Sequence, residues 1–138
     1  MDQKVSEKPL RRPATLAGAH GKVLVVDDDP HFRVLARAIL EPAGFEIIES
    51  EDMQQCMLQL RQQAVDCLIL DMVMPGQDGI ESVRELKQLF PEIPIVAVSG
   101  AEQSDLYLSV SAHLGADASL EKGRVSALGP LLQVVLDR

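Results

Sequence analysis

Residues 67–79 read Cys67-Leu68-Ile69-Leu70-Asp71-Met72-Val73-Met74-Pro75-Gly76-Gln77-Asp78-Gly79. The first four positions are a continuous apolar run, which is typical of a strand that is buried on both faces of a parallel sheet. Gly76 lies in the loop after this run, and Asp78 is of a residue type that caps helices. An apolar period of three to four residues follows, at Ile80, Val83, Leu86 and Leu89. The stretch therefore predicts a buried strand, a loop and a helix that begins after Asp78.

The same order of strand and helix continues on both sides of this stretch. The first helix has Asp29 as its N-cap and Pro30 as its first residue, and Pro42 with Gly44 ends it. The predicted strands are Val23–Val26, Phe45–Ile48, Cys67–Leu70, Ile95–Val98 and Ala118–Leu120. The other predicted helices are Met53–Gln63, the Asp78 helix, one through Leu106, Val110 and Leu114 that stops at Gly115, and an apolar final helix near Gly129-Pro130. Leu35, Ile39 and Leu40 are the predicted apolar stripe of the first helix.

Five strand–helix units in series predict an α/β fold, because parallel neighbours need crossover connections. Within this class we expect a flavodoxin-like, doubly wound, five-stranded parallel sheet of order 2-1-3-4-5 with helices on both faces. Functional sites of such sheets lie at the carboxyl ends of the strands, where the strand order reverses. Residues 1–20 carry Pro, Gly and scattered charges without either period, so we expect a flexible N-terminal leader before a domain at 21–138.

Composition limits the class of protein further. A chain of 138 residues suits one domain, and a hydrophobic fraction of 46% is ample for a core. The 21 acidic residues exceed the 13 basic ones, and this net charge of −8 opposes direct contact with nucleic acid or an anionic membrane. No apolar run approaches the ~18 residues that span a bilayer. We expect a cytoplasmic protein in which Cys56 and Cys67 are reduced and buried.

Four of the predicted strands end in residues that together point to phosphoryl chemistry. Asp27-Asp28, Asp71, Ser99 and Lys122 follow strands one, three, four and five, so they should meet at one edge of the sheet. Converging carboxylates repel each other unless a cation neutralises them, and oxygen ligands favour Mg²⁺ or Ca²⁺. A hard cation, an ammonium and a hydroxyl could together hold three phosphoryl oxygens, and a carboxylate is a competent nucleophile.

These motifs resemble those of the receiver domains of bacterial two-component response regulators. The resemblance covers roughly residues 22–138. It rests on Val25–Pro30, Leu70–Gly79, Val98–Gly100, Gly115–Asp117 and Leu120–Lys122, of which Asp-x-x-Met-Pro-x-x-Asp-Gly at 71–79 is the most specific. It implies a phosphorylation-activated signalling switch rather than an enzyme, one that assists its own phosphoryl transfer and dephosphorylation. The implied partners are a sensor histidine kinase or phosphotransfer protein, and a downstream protein or output domain.

The resemblance also implies the role of each site residue. Asp71 would be the phosphoacceptor. Asp28, Asp71 and the Val73 backbone carbonyl would bind Mg²⁺ directly, with Asp27 contributing through water. Ser99 and Lys122 would contact the phosphoryl group. We expect Asp78, in contrast, to be a helix cap and not a metal ligand.

Two positions depart from the family pattern. Gly123 stands where the family usually has proline after the lysine, and Ser119 stands where many receivers carry the aromatic residue of the output switch. Both leave open a second class, a pseudo-receiver that acts only in protein interaction or as a phosphate sink. A small-molecule enzyme or flavin-binding domain is disfavoured, because Asp27-Asp28-Asp29 would repel a cofactor phosphate. The fifth strand and its two flanking helices are the candidate docking face for a partner or a second copy of the chain.

Overall fold

The computed structural model describes residues 20–100 and 104–137 of the chain. The predicted leader lies outside these ranges except for His20, whose backbone amide donates to the Gly44 carbonyl at 3.0 Å. The strands are β1 (Gly21–Val26), β2 (Phe45–Ser50), β3 (Cys67–Asp71), β4 (Val73–Met74), β5 (Gln77–Asp78), β6 (Ile95–Ser99) and β7 (Ala118–Glu121). The α-helices are α1 (Pro30–Leu40), α2 (Met53–Gln62), α3 (Gly79–Leu89), α4 (Ser104–His113) and α5 (Leu128–Leu136), and a 3₁₀ segment covers Lys122–Ala127.

Five parallel strands form the central sheet in the order β2-β1-β3-β6-β7. Counting only these five strands along the chain, this is the predicted order 2-1-3-4-5, and the prediction of a flavodoxin-like fold is confirmed. The register pairs Val26 with Leu70 and Asp71 with Val98, so the ends of β1, β3 and β6 lie side by side. The order reverses at β1 and β3, which brings Asp27 and Asp71 to the same edge.

Helices cover both faces of the sheet. On one face α1 and α5 pack over the odd-numbered side chains of β1 and β3, with Leu40, Leu128 and Leu132 fully buried. On the other face α2, α3 and α4 pack over the even-numbered side chains, and Cys56, Val83 and Leu86 are in this second buried cluster. Both layers are apolar because a strand covered on two sides exposes neither of its faces to water. Cys56 and Cys67 are both buried and unpaired, and burial raises the pKa of each thiol to about 12.

Two leucines that the apolar period placed on helix faces toward the core are in fact exposed. Leu35 and Leu89 have 48% and 52% of their surface open, so these predictions were wrong. In α1 the buried row is Phe32, Ala36 and Leu40, which repeats every four residues. Each helix turns about 100° per residue, so a small rotation against the sheet moves one leucine out of contact. In α4, Tyr107 and Leu108 pack on the core while Leu106 is 66% exposed, and Leu114 packs there directly after the helix ends.

A short hairpin follows β3 where only a loop was predicted. β4 and β5 pair antiparallel through Val73 with Asp78 and Met74 with Gln77. Gly76 has a φ of 72° in the turn between them, a conformation that favours glycine. The Pro-Gly pair at 75 and 76 is a recognisable tight-turn signal in the sequence. Asp78 caps α3 as predicted, since its Oδ1 accepts a hydrogen bond from the Ile80 amide at 3.0 Å.

The structure shows where the final helix begins relative to Gly129 and Pro130. α5 begins at Leu128, so Pro130 lies in its first turn, directly after the 3₁₀ segment. Leu132 and Val135 are buried and Leu131 and Leu136 are partly covered, while Val134 is 63% exposed. Most of the apolar surface of α5 therefore covers the sheet. None of the helices in the described ranges has the length and apolar character needed to cross a membrane.

Candidate functional site

An acidic cluster lies at the carboxyl edge of the sheet. Asp27 follows β1, Asp71 is the last residue of β3, and each offers a carboxylate oxygen to the same small space as Asp28. These three oxygens lie within 4.8 Å of one another. Asp27 and Asp71 are buried, whereas Asp28 is exposed. The cluster is thus closed toward the core and open toward solvent.

Lys122 is the cation that faces this cluster. It follows β7 directly, and its Nζ lies 2.7 Å from Asp27 Oδ2 and 3.3 Å from Asp71 Oδ2. The ammonium also lies 5.0 Å from the centroid of the Phe32 ring. Burial lowers the pKa of Lys122, but the two carboxylates outweigh it and leave that pKa raised. Lys122 is therefore held as a cation within the site.

Asp27 is fixed by its own loop and by α1. Its Oδ1 accepts a hydrogen bond from the Asp29 amide at 2.9 Å, and its backbone carbonyl accepts one from Arg33 Nη1 at 2.6 Å. Arg33 is anchored in turn, because its Nε donates to Glu49 Oε1 at 2.8 Å. The other oxygen, Asp27 Oδ2, is buried and forms an ion pair with Lys122 Nζ at 2.7 Å.

Asp71 is a buried carboxylate whose surroundings disfavour its ionised form. Only 2% of its surface is exposed, its Oδ1 accepts from the Val73 amide at 3.1 Å, and its Oδ2 accepts from Lys122. Burial and the neighbouring negative charge of Asp27 raise the pKa of Asp71 to about 7, despite the opposing effects of Val73 and Lys122. The ionised form of such a carboxyl group is stabilised when a further cation binds nearby.

Ser99 is near the cluster but is not part of its contacts. It is the last residue of β6, fully buried, and its hydroxyl donates to the Gly100 carbonyl at 3.3 Å. Val73 contributes its amide to Asp71 Oδ1, and a role for its carbonyl as a metal ligand stays a prediction. The structure therefore brings together Asp27, Asp28, Asp71 and Lys122, with Ser99 on the neighbouring strand end.

The β4–β5 hairpin supports the loop that carries these residues. The Gln77 side chain accepts a hydrogen bond from the Met53 amide at 3.1 Å, which ties the hairpin to the start of α2. Gly79 approaches the Met72 backbone so closely that a Cβ at this position would overlap the Met72 carbonyl oxygen. This close approach explains why glycine follows Asp78, and it fixes the chain immediately after Asp71.

The donor set fits a hard divalent cation such as Mg²⁺. The three carboxylates supply only oxygen, and the buried Asp27 Oδ2 makes no hydrogen bond within the described ranges. Mg²⁺ takes few protein carboxylates and keeps several waters, which suits a cluster that is open on the side of Asp28. A cation here would also neutralise the excess negative charge that Lys122 leaves uncompensated.

Comparison with known proteins identifies the family. The model of the response regulator receiver domain matches residues 23–128, which include every residue of the site described above. The chain belongs to the response regulator receiver family. The matched range contains the acidic cluster and Lys122, and the resemblance to receiver domains that the sequence motifs indicated is confirmed.

The receiver domain has several curated relatives. It is 35% identical over 118 residues to the KDP operon transcriptional regulatory protein KdpE of Escherichia coli K12, covering 84% of this chain and 51% of KdpE. It is 33% identical over 102 residues to the phosphate regulon transcriptional regulatory protein PhoB of Pseudomonas aeruginosa, covering 72% of this chain and 44% of PhoB. The chain thus spans about half the length of these relatives.

Solved structures agree on the fold. The receiver domain of NtrX from Brucella abortus is 26% identical with a TM-score of 0.74, over 83% of this chain and 98% of that one. A response regulator from Thermotoga maritima is 23% identical with a TM-score of 0.76, over 85% and 98%. Both similarities support the same overall fold.

Two residues in contact with the receiver site were missed by sequence reasoning. Phe32 lies under the Lys122 ammonium, and Arg33 holds the Asp27 carbonyl. Both are in the first turn of α1, directly after the Asp29-Pro30 helix start. Their proximity to the acidic run was a usable signal, because a helix that begins at a strand end projects its first turn over that end.

Proposed function

We propose that this receiver domain accepts a phosphoryl group on Asp71 from a sensor histidine kinase or a phosphotransfer protein, and thereby changes its binding to a downstream protein or output domain. The observation that carries this proposal is the position of Asp71. It is a buried carboxylate with one oxygen beside the Lys122 ammonium and with the carboxylates of Asp27 and Asp28 next to it. This is the arrangement expected of a nucleophile whose product carries additional negative charge.

In the proposed reaction a carboxylate oxygen of Asp71 forms a bond to phosphorus while the bond from phosphorus to the donor breaks. The electron pair of that bond leaves with the donor group, a histidine nitrogen in the protein partner or a carboxylate oxygen in acetyl phosphate. The product is an aspartyl phosphate and the released donor. The nucleophile has to be ionised for this step, and the raised pKa of Asp71 means that nearby positive charge favours the reactive form.

The remaining residues of the site would position the phosphoryl group and neutralise its charge. Mg²⁺, when bound by Asp27, Asp28, Asp71 and the Val73 carbonyl, would supply charge neutralisation for the transferred group. Lys122 would pair with a phosphoryl oxygen, since its ammonium already lies 3.3 Å from Asp71 Oδ2. Ser99 would donate to another oxygen after its hydroxyl leaves the Gly100 carbonyl, which requires only rotation of a buried side chain.

The output surface is proposed to be the face formed by β7, α4 and α5. Leu106 on α4 and Val134 on α5 are 66% and 63% exposed there, which leaves apolar surface for a partner or a second copy of the chain. Ser119 is exposed on β7 and is too small to act as a buried aromatic latch. We therefore propose that the signal starts at the end of β6, where Ser99 would change partner, and that it acts as a population shift and not as a new fold.

Phosphorylation of the intact chain by acetyl phosphate tests the acceptor. Mass spectrometry of the full-length protein with Mg²⁺ should show one added phosphoryl group that alkali removes, as an acyl phosphate would be. Asp71→Asn should abolish it, because an amide is a poor nucleophile. Asp78→Asn is the matched control, since asparagine caps helices as well as aspartate and label should persist. Full labelling of the Asp71→Asn protein would contradict the assignment.

A further inference from the structure

Lys122 is positioned mainly by side chains from elsewhere in the fold. Its ammonium is bounded by Asp27 and Asp71 on one side and by the Phe32 ring at 5.0 Å on another. A cation within about 6 Å of a ring centroid is attracted by the negative face of the ring. The Lys122 side chain is only 22% exposed, so water competes weakly for the ammonium.

The backbone around Lys122 offers little restraint of its own. Gly123 follows it, and a side chain at 123 would meet nothing within 4 Å. The 3₁₀ segment that Lys122 begins has no side-chain cap, and Arg124 departs from helical geometry at φ −108° and ψ 30°. Position 123 therefore adds no side-chain contact that could restrain the lysine.

Phe32 is rigid enough to supply such a restraint. Only 4% of its surface is exposed, and it belongs to the same buried cluster as Leu120 and Leu128, which flank the lysine loop along the chain. The turn of α1 that carries it is fixed by the Asp29 cap, whose Oδ1 accepts from the His31 amide at 2.9 Å. The ring is therefore a fixed surface beside the ammonium, whereas Gly123 directly after Lys122 adds no side-chain contact of its own.

We propose that Phe32 is a positioning residue that holds the Lys122 ammonium between Asp27 and Asp71, ready to meet a phosphoryl oxygen on Asp71. This inference rests on the proposed function. Without the ring the ammonium keeps its two carboxylate partners but gains the freedom to swing toward solvent. A leucine at position 32 would fill much of the same core space but would have no aromatic face, so it separates packing from the cation–π contact.

Nuclear magnetic resonance of Lys122 in the full chain tests the contact directly. Protons above an aromatic face are shielded, so the Lys122 ε-methylene protons should lie upfield of their position in Phe32→Leu. Phe32→Tyr should keep the shift because it keeps the ring. Phe45→Leu is the matched control, since Phe45 is equally buried in the same cluster but pairs with Gly21 at the opposite edge of the sheet. Equal shifts in the wild type and Phe32→Leu would overturn the contact. If Phe32→Leu does not fold, the reference is lysine in the unfolded chain, and wild-type protons at that reference position would overturn the contact.

Labelling rates with acetyl phosphate and Mg²⁺ test the role. Phe32→Leu should be phosphorylated about three- to tenfold more slowly, which is the range that a partly desolvated cation–π contact contributes. Phe32→Tyr should restore the rate, and Phe45→Leu should match the wild type. A Phe32→Leu protein as fast as the wild type overturns this inference while the proposed function stands. A wild type that takes up no phosphoryl group overturns both.

Discussion

Asp71 illustrates how a single side chain can serve function at the expense of stability. It is buried beside Asp27, and Lys122 provides one positive charge for two buried carboxylates. Burial without full compensation disfavours the ionised form, which is why the pKa of Asp71 rises to about 7. Under the proposed function, the same imbalance would favour the binding of a divalent cation.

This raised pKa predicts how stability depends on pH in magnesium-free buffer. The unfolded chain loses the Asp71 proton near the ordinary value of 3.8, whereas the folded chain holds it to about 7. The contribution of Asp71 therefore favours folding fully below about pH 4 and is lost as pH rises toward 7. Urea unfolding should give Asp71→Asn a higher free energy of unfolding than the wild type, and this difference should grow as pH rises through the window. We expect a difference on the order of a few kcal/mol by pH 8, because each unit of raised pKa corresponds to ~1.4 kcal/mol.

A difference that stays constant from pH 4 to 8 would contradict the prediction. Glu49 also makes stability depend on pH, but its contribution cancels when the two proteins are compared. Burial alone would raise the pKa of Glu49, but the effects of Arg37 and Arg33 outweigh burial and leave that pKa lowered. Its contribution therefore runs in the opposite direction, appearing as pH rises through the acidic range, and it is the same in both proteins. Comparing the two proteins at each pH removes it from the result.

Among the secondary-structure elements, the β4–β5 hairpin and the start of α3 connect the site to the fold. The hairpin directly follows Asp71, and Gly79 packs on the Met72 backbone where α3 begins. Asp78 caps the helix from the last residue of the hairpin. A turn, a cap and a glycine contact thus hold the chain in place within eight residues of Asp71.

Two helical glycines should respond oppositely to alanine. Gly79→Ala should lower the free energy of unfolding by about 1–3 kcal/mol, because the new Cβ overlaps the Met72 carbonyl and the backbone has to move. Gly129→Ala in α5 should instead raise it by roughly 0.5–1 kcal/mol, since its Cβ meets nothing within 4 Å and alanine favours helices. Thermal and urea unfolding measure both variants. Similar effects at the two positions would contradict the close contact at Gly79.

For the entire domain, the acidic cluster predicts that magnesium and folding are linked. An ion that binds only the folded chain should raise the free energy of unfolding by about 2.7 kcal/mol at a hundredfold excess over Kd. Asp28→Ala should remove this response and leave the domain folded, because Asp28 is exposed and its loss reduces repulsion in the cluster. Asp105→Ala, which removes an exposed carboxylate on α4, should respond like the wild type.

The same titration separates the two readings of the function. A wild-type chain whose stability does not change with Mg²⁺ would favour a pseudo-receiver that acts only in protein interaction. A response that persists in Asp28→Ala would mean that the ligand set is wrong. A response that Asp28→Ala removes supports the proposed metal site.

Much of this architecture is determined by local sequence. The buried runs at Val23–Val26 and Cys67–Leu70 and the caps at Asp29 and Asp78 depend on neighbours within a few residues, so the pattern predicted them correctly. The convergence of Asp27, Asp71 and Lys122 was also predictable, because strand order alone brings the ends of parallel strands to one edge. The hairpin after β3 was missed although its Pro-Gly turn is a local signal.

Only the tertiary structure decided how the helices rotate and what surrounds Lys122. Periodicity placed Leu35 on the buried face of α1, but packing against the sheet selected Phe32 and Ala36. That rotation sets Phe32 under an ammonium 90 positions later in the chain, at a distance no local pattern encodes. Side-chain contacts of this kind depend on angles and separations of a few ångströms between elements, and these arise only when both layers of the core pack together.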